Sequence, residues 1–154
     1  MGKILAVSIR QPWAELILTG KKTMELRSWG SDYRGLLWVH TGFKSDPELE
    51  RSFGFYNLFK GGYVGIVTLS GIIPLNLDDW EHYRPNHLDL GGYSPNYFGW
   101  FLDSPRRFVQ PVEGPGQLGL YEPSVECVRL LEVARHQLDT DSSGIDPSVA
   151  NSGH

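Results

Sequence analysis

The residues of this sequence that could do chemistry are concentrated in one short segment. Four ionisable side chains fall within seven residues of it: Lys21, Lys22, Glu25 and Arg27. A carboxylate can accept a hydrogen bond from an amine, and Lys or Arg can hold a phosphate or a carbonyl oxygen. Charged groups are costly to bury without partners, so a segment that buries them often lines a polar ligand site. Spacing alone favours the alternative, a solvated ion pair on the outer face of a strand.

A strand and a helix must position this segment. Residues 4–9 form a near-continuous apolar run, which predicts a buried strand. Pro12 suits the first turn of a helix, because its missing N–H costs nothing there. The helix would bury one face, formed by Trp13, Leu16 and Ile17. Gly20 is a natural end for it, since the residue after a helix often has positive φ.

The charged segment itself is predicted to be a strand, from Thr23 to Trp29. Side chains alternate along a strand, so Glu25 and Arg27 should share one side and Met24 the other. Lys22 lies at the turn before the strand, so the alternation does not fix its direction.

The rest of the chain predicts further strands, two helices and a long excursion. The predicted strands are Leu36–Thr41, Tyr63–Ile73, Tyr97–Leu102, Phe108–Pro111 and Leu118–Tyr121, and the predicted helices are 45–59, capped by Ser45, and Val125–Leu138. Residues 74–96 are rich in Pro, Asn, Asp and Gly, and should hold one short helix near Asp78. From Asp139 onward the low apolar content predicts a disordered tail. About six strands with flanking helices predict an α+β fold built on a small β-barrel.

Several other side chains could bind a ligand. Trp29, close to Arg27 at the end of its strand, is a candidate stacking platform for a base, whereas Trp13 on the apolar helix face should be core. Ser8, Arg10 and Gln11 surround the start of the helix, where free N–H groups attract anions or are simply capped. His40, in an apolar strand, is either a hydrogen-bonded core residue or a ligand contact.

Metal and nucleophile chemistry find little support. His82 and His87 lie among acidic residues, but their spacing matches no strong ligand motif, so no metal or other cofactor is expected. Cys127 is the only cysteine, which fits packing and a reducing cytoplasm. The sequence contains no Gly-x-Ser-x-Gly elbow and no phosphate loop.

Charge is distributed unevenly along the chain. The formal net charge is −4, which argues against bulk nucleic-acid binding. Residues 1–61 nevertheless carry nine basic and six acidic side chains, and residues 62–154 carry five and twelve. The basic groups therefore gather in the half that holds the charged segment. No secretory leader or membrane-spanning run is apparent, so we expect a cytoplasmic protein without a membrane partner.

Three stretches together resemble the ASCH domain, a family of the PUA-like superfamily: residues 5–14 with Gln11-Pro12-Trp13, residues 20–29 and residues 34–40. The family pattern Gly-x-Lys-x-x-Glu-x-Arg is met by Gly20, Lys22, Glu25 and Arg27. The resemblance covers about residues 3–122. We therefore expect an ASCH domain over 1–122, a C-terminal helix over 123–138 and the tail over 139–154.

The resemblance implies a PUA-like barrel whose charged residues line a cleft for RNA or a single nucleotide. It reverses the expectation from spacing, so Glu25 and Arg27 should lie in the cleft with Lys22, joined by Ser8, Gln11, Trp29 and His40. RNA, single-stranded nucleic acid or a nucleotide, modified or not, is then the expected partner.

The same resemblance raises two alternatives, an enzyme and a protein-interaction module that has lost its ligand. One branch of the family hydrolyses acetylated cytidine with a lysine, a threonine three residues later and a distant glutamate, and other relatives cleave RNA. Lys22 matches that lysine, but Glu25 occupies the threonine position. Thr23 and Glu81 are only loose substitutes, so we expect binding without catalysis.

Overall fold

A computed structural model describes residues 2–144, which contain six strands and five helices. The strands are β1 Leu5–Ser8, β2 Met24–Arg27, β3 Gly35–Thr41, β4 Gly62–Pro74, β5 Phe98–Glu113 and β6 Leu120–Tyr121. The helices are α1 Trp13–Leu18, α2 Pro47–Ser52, α3 Leu77–His82, α4 Arg84–His87 and α5 Val125–Gly144. The predicted α+β fold is confirmed.

All six strands join one sheet in the order β2-β5-β4-β3-β1-β6, curled into a half-barrel. β1 pairs with β3 in parallel, and the other neighbours are antiparallel. β2 is therefore one edge of the sheet, and β1 lies beside the other edge. The curl turns these two strands towards each other without joining them.

One strand stands where the sequence predicted two. Tyr97–Leu102 and Phe108–Pro111 belong to a single strand, β5, which runs through Ser104 and Pro105. Ser104 adopts a φ of 53°, and the pairing with β4 shifts register three times. These irregularities bend the strand without ending its pairing with β4. The break that the sequence predicted is therefore a bend within one strand.

The elements around the charged segment form largely as expected. α1 ends before Gly20, which has a φ of 80°. Gly65 of β4 lets the helix pack closely, since a Cβ there would lie 2.7 Å from Leu18 Cδ2. The main core fills the space between α1 and the sheet, with Ile17, Leu37 and Trp100 among its buried members.

The excursion after β4 is more ordered than predicted, with two short helices instead of one. Asn76 and Asp79 form a reciprocal capping box at the start of α3. Trp80 is fully buried against Met24 and Leu75, which fixes the excursion beside β2.

The remaining helices differ from prediction at their ends. Asp46, not Ser45, caps α2 by accepting from the Leu49 N–H. α5 packs Leu131 and Ala134 against the sheet and continues to Gly144, six residues past the predicted end at Leu138. The predicted tail therefore begins as helix, and its residues 145–154 lie outside the described range.

Candidate functional site

A cleft of about 530 Å³ lies at the seam between β1 and β2. The Arg27 side chain crosses this seam. Its Nη2, on β2, donates a hydrogen bond to the Ser8 carbonyl, on β1, at a distance of 2.5 Å. Because the two strands are not hydrogen-bonded neighbours, this side chain connects elements that the sheet leaves apart.

Lys22 lies at the inner end of the cleft, in the turn between α1 and β2. Its side chain is almost fully buried, and Nζ donates to the His87 carbonyl. The same nitrogen lies 3.6 Å from Glu25 Oε1 and 4.7 Å from the centre of the Trp13 ring. Burial lowers the pKa of the Lys22 amine, and the Glu25 carboxylate partly opposes this shift.

Glu25 and Arg27 occupy the wall that β2 contributes. Glu25 Oε1 accepts from the Leu26 N–H at 3.2 Å, and Oε2 lies 3.5 Å from Arg27 Nη2. Within residues 2–144, Arg27 Nε is buried and has no hydrogen-bond partner. The Glu25 and Arg27 side chains, 11% and 20% exposed, border the open cavity, where a bound ligand could form hydrogen bonds with their accessible atoms.

The remaining walls come from separate segments. Trp13 and Tyr97 contribute aromatic rings, and Leu118 contributes an apolar side chain. Arg10 and Lys44 are exposed cations on the lining. With Asp89 included, the lining carries four basic and two acidic side chains, so the cleft is locally positive although the chain is acidic.

Comparison with known proteins identifies the family of the domain. The family profile of the ASCH domain matches residues 7–112. The chain belongs to the ASCH domain family.

The ASCH relatives include a much longer protein. The chain is 39% identical to activating signal cointegrator 1 of Homo sapiens and 40% identical to that of Mus musculus, each over 119 residues and 70% of this chain. It spans about a fifth of the length of these relatives.

Solved ASCH structures share the fold. A crystal structure of ASCH from Zymomonas mobilis aligns with a TM-score of 0.60 at 15% identity, covering 85% of this chain and 94% of that one. A mutant of the same protein also gives 0.60 at 15% identity, over 86% and 98%. At this identity the likeness shows the fold alone.

Two of the predicted site residues, Ser8 and His40, are bonded to each other. Ser8 lines the ASCH cleft, but His40 is buried beneath it. His40 Nε2 lies 2.9 Å from the Gly114 carbonyl, so Nε2 carries the proton and Nδ1 accepts from Ser8 Oγ, also at 2.9 Å. Burial lowers the pKa of His40, which favours this neutral ring. A Cβ on Gly116 would lie 2.4 Å from both Ser8 Oγ and His40 Nδ1, so the backbone of Gly116 covers the pair.

Gln11 does not reach the cleft. Its Nε2 donates to the Phe59 carbonyl and its Oε1 accepts from the Glu15 N–H, both at 3.0 Å. The Trp13 and Ala14 N–H groups donate to the Arg10 carbonyl. The start of α1 is therefore satisfied within the protein, and the anion site considered from the sequence is not formed by these groups.

The two tryptophans are both half-buried and pack against the main core, and of the two only Trp13 lines the cleft. Trp29 packs edge-on against Trp100, with ring centres 4.8 Å apart, and does not line the cleft. Trp13, expected in the core, is only half-buried and lines it. Its position in the first turn of α1, three residues from exposed Arg10, was the available signal, because a helix end lies at the margin of a core.

Apart from Lys22, the residues considered for metal binding or hydrolysis are absent from the lining of the cleft. Both ring nitrogens of His87 are bonded, to the Trp80 carbonyl and the Asp89 N–H. Residues 2–144 hold no group of three or more His, Cys, Asp or Glu side chains suited to a metal ion. Thr23 Oγ1 accepts from Asn86, and the exposed Glu81 pairs with Arg84.

None of the helices found between residues 2 and 144 has the length and apolar character needed to cross a membrane.

Proposed function

We propose that this ASCH domain binds nucleic acid and holds an RNA nucleotide, modified or not, in the cleft around Lys22, Glu25 and Arg27. The observation that carries the proposal is the buried charge cluster facing an open cavity. Such a cluster is costly to fold unless its groups find partners, and the Glu25 and Arg27 side chains keep accessible surface on the cavity. A cavity of about 530 Å³ is in the size range of small-molecule sites.

Each part of a nucleotide has a suitable group in the lining. The Glu25 carboxylate can accept from the exocyclic amine of a base, and Arg27 can donate to a base carbonyl. The Trp13 and Tyr97 rings offer stacking surfaces, which suit every base. Arg10 and Lys44 at the exposed rim can meet phosphate oxygens.

The charge distribution sets the expected strength of binding. The cleft and its rim carry only four basic side chains, so few phosphates can be neutralised there at once. Affinity for single strands should be modest and should fall shallowly with salt, and duplex DNA should bind weakly. A cytoplasmic location stays a prediction beside this proposal.

Hydrolysis is the alternative function, and no contact in the described cleft favours it over binding. The Lys22 amine is engaged by His87 and Glu25, and Thr23 and Glu81 lie outside the lining. Incubation with acetylated cytidine tests it, with cytidine followed by chromatography. Turnover lost in Lys22→Ala would support the enzyme instead.

Titration of the purified chain with the four ribonucleoside monophosphates and with an eight-nucleotide oligouridylate tests the binding proposal. Arg27→Ala should weaken binding at least about tenfold, because hydrogen bonds from charged groups contribute about 1.5–3 kcal/mol each. Glu25→Gln, which keeps the shape of the side chain, should weaken binding of nucleotides whose base presents an amine.

Arg129→Ala is the matched control, since Arg129 is exposed on α5 and does not line the cleft. Melting temperatures measured in parallel separate lost binding from lost folding. Failure of the unmodified chain to bind any of these compounds, or equal binding by Arg27→Ala and Arg129→Ala, would reject the proposal.

A further inference from the structure

An exposed aromatic side chain stands at the mouth of the cleft, outside its lining. Phe43 follows the end of β3 and is 82% exposed. The residues on either side of it, Gly42 and Lys44, both line the cleft. Phe43 is therefore held at the rim of the proposed nucleotide site by its immediate chain neighbours.

The Phe43 ring packs against backbone although most of its surface is exposed. It lies against Gly61, where an added Cβ would stand 2.4 Å from Phe43 Cζ and 2.6 Å from Cε1. Gly61 is itself fixed, because its N–H donates to the Thr41 carbonyl at 2.8 Å and its carbonyl accepts from the Gly114 N–H at 3.2 Å. A ring that rests on rigid backbone and is otherwise open to water forms a ready surface for another flat group.

The surroundings of this ring match the chemistry of a single nucleic-acid strand. Single-strand sites combine aromatic rings, on which successive bases stack, with cations that follow the backbone. Lys44 supplies such a cation directly beside Phe43, and Arg10 supplies another on the same lining. Leu118, which is 98% exposed, adds apolar surface to the same lining.

We propose that Phe43 is a second base-binding position, so that the ligand is a single strand of at least two nucleotides. One nucleotide occupies the charged cleft, the neighbouring base stacks on the Phe43 ring, and Lys44 contacts the intervening phosphate. This inference rests on the proposed function, which it deepens by specifying the length and stacking of the ligand.

The test compares a ligand with one base and a ligand with several. Uridine 5′-monophosphate and labelled eight-nucleotide strands of uridine and of deoxyuridine are titrated into the full chain and into Phe43→Ala. The variant should bind both eight-nucleotide strands about 5- to 150-fold more weakly, the range for losing one stacked base. Its affinity for the monophosphate should stay unchanged.

Two further variants make the comparison specific. Phe43→Tyr keeps a flat ring and should restore strand binding. Tyr56→Ala removes another exposed aromatic, 71% exposed and absent from the cleft lining, and should change neither affinity. If only the uridine strand responds to Phe43→Ala, the second position selects RNA, and the proposal holds in that narrower form.

The opposite outcomes separate this inference from the function on which it rests. Equal strand binding by Phe43→Ala and the unmodified chain would overturn the second position, while sensitivity to Arg27→Ala would leave the cleft proposal standing. An equal loss for strand and monophosphate would place Phe43 in the first site and would also overturn it. Absence of binding by the unmodified chain would reject both.

Discussion

Two buried polar clusters lie side by side in this domain, and they differ in how completely their groups are bonded. His40 uses both ring nitrogens, one for Ser8 and one for the Gly114 carbonyl, and Gly116 covers the contact. The cluster of Lys22, Glu25 and Arg27 opens on a cavity of about 530 Å³ and leaves Arg27 Nε without a partner in the described chain.

This difference shows what separates a polar core from a polar site. A fully bonded buried group holds elements together, and removing it costs free energy of unfolding. A partly bonded group beside a cavity adds less to folding and can bond to a ligand. Substitutions in the first cluster should therefore change stability alone, and substitutions in the second should change binding in addition to the stability that its own hydrogen bonds contribute.

His40→Ala should give the largest effect on stability. It leaves the Gly114 carbonyl unpaired, deprives Ser8 of its acceptor and opens a cavity, so we expect a loss of about 3 kcal/mol in the free energy of unfolding. Urea denaturation measures it. Nucleotide affinity, measured well below the melting temperature, should be unchanged. A variant of normal stability that no longer binds nucleotide would place His40 among the binding residues and erase the contrast.

Separate alanine substitutions of Trp13 and Trp29 test the same comparison at two aromatic side chains. Trp13→Ala should weaken nucleotide binding by about 1–3 kcal/mol, because a ring of the cleft is lost. Trp29→Ala should leave binding unchanged and reduce the free energy of unfolding by about 2 kcal/mol, because its contact with Trp100 is lost. Calorimetric titration measures the affinity of both variants for the nucleotide, and thermal melting measures their stability. A loss of binding confined to Trp29→Ala would restore the assignment made from sequence.

Lowering the pH should reduce the free energy of unfolding by a smaller amount than the His40→Ala substitution does. Burial lowers the pKa of both His40 and His87, so below about pH 6.5 the unfolded chain binds protons that the folded chain does not. The free energy of unfolding should thus be highest above pH 6.5. It should fall as the pH decreases, by at most about 1.4 kcal/mol per pH unit for each histidine.

Urea denaturation between pH 7.5 and 5.5 measures this slope. His40→Gln should remove part of it, with the rest left to His87. A slope identical to that of the unmodified chain would show that His40 is protonated in the folded state as easily as in the unfolded one.

Local patterns predicted the strand and which of its side chains share a side, but spacing alone favoured a solvated ion pair there, and only the family resemblance predicted a cleft. The Gly20 turn and the alternation of β2 bring Glu25 and Arg27 to the same side, as expected. Lys44, Asp89 and Tyr97 carry no such pattern, because they reach the cleft from loops that only the topology brings together.

Other features depended on competition that sequence does not display. Ser104 and Pro105 resemble a strand break, but pairing with β4 outweighs the local preference and keeps β5 continuous. Asp46 and Ser45 are both good helix caps, and the structure uses the one beside Pro47. Trp13 and Trp29 are equally apolar, and only packing against Trp100 decides which of them is removed from the cleft.

At the seam crossed by Arg27, the width of the cleft does not depend on the strand pairing that holds the rest of the domain. No strand ladder joins β1 to β2, so the distance between them is set by side chains and not by sheet geometry. The gap can widen or narrow without breaking a backbone pairing. Replacing a few residues along it would resize the aperture for a different ligand while the rest of the barrel stays as it is, which makes this edge of the fold a natural place for the family to diversify.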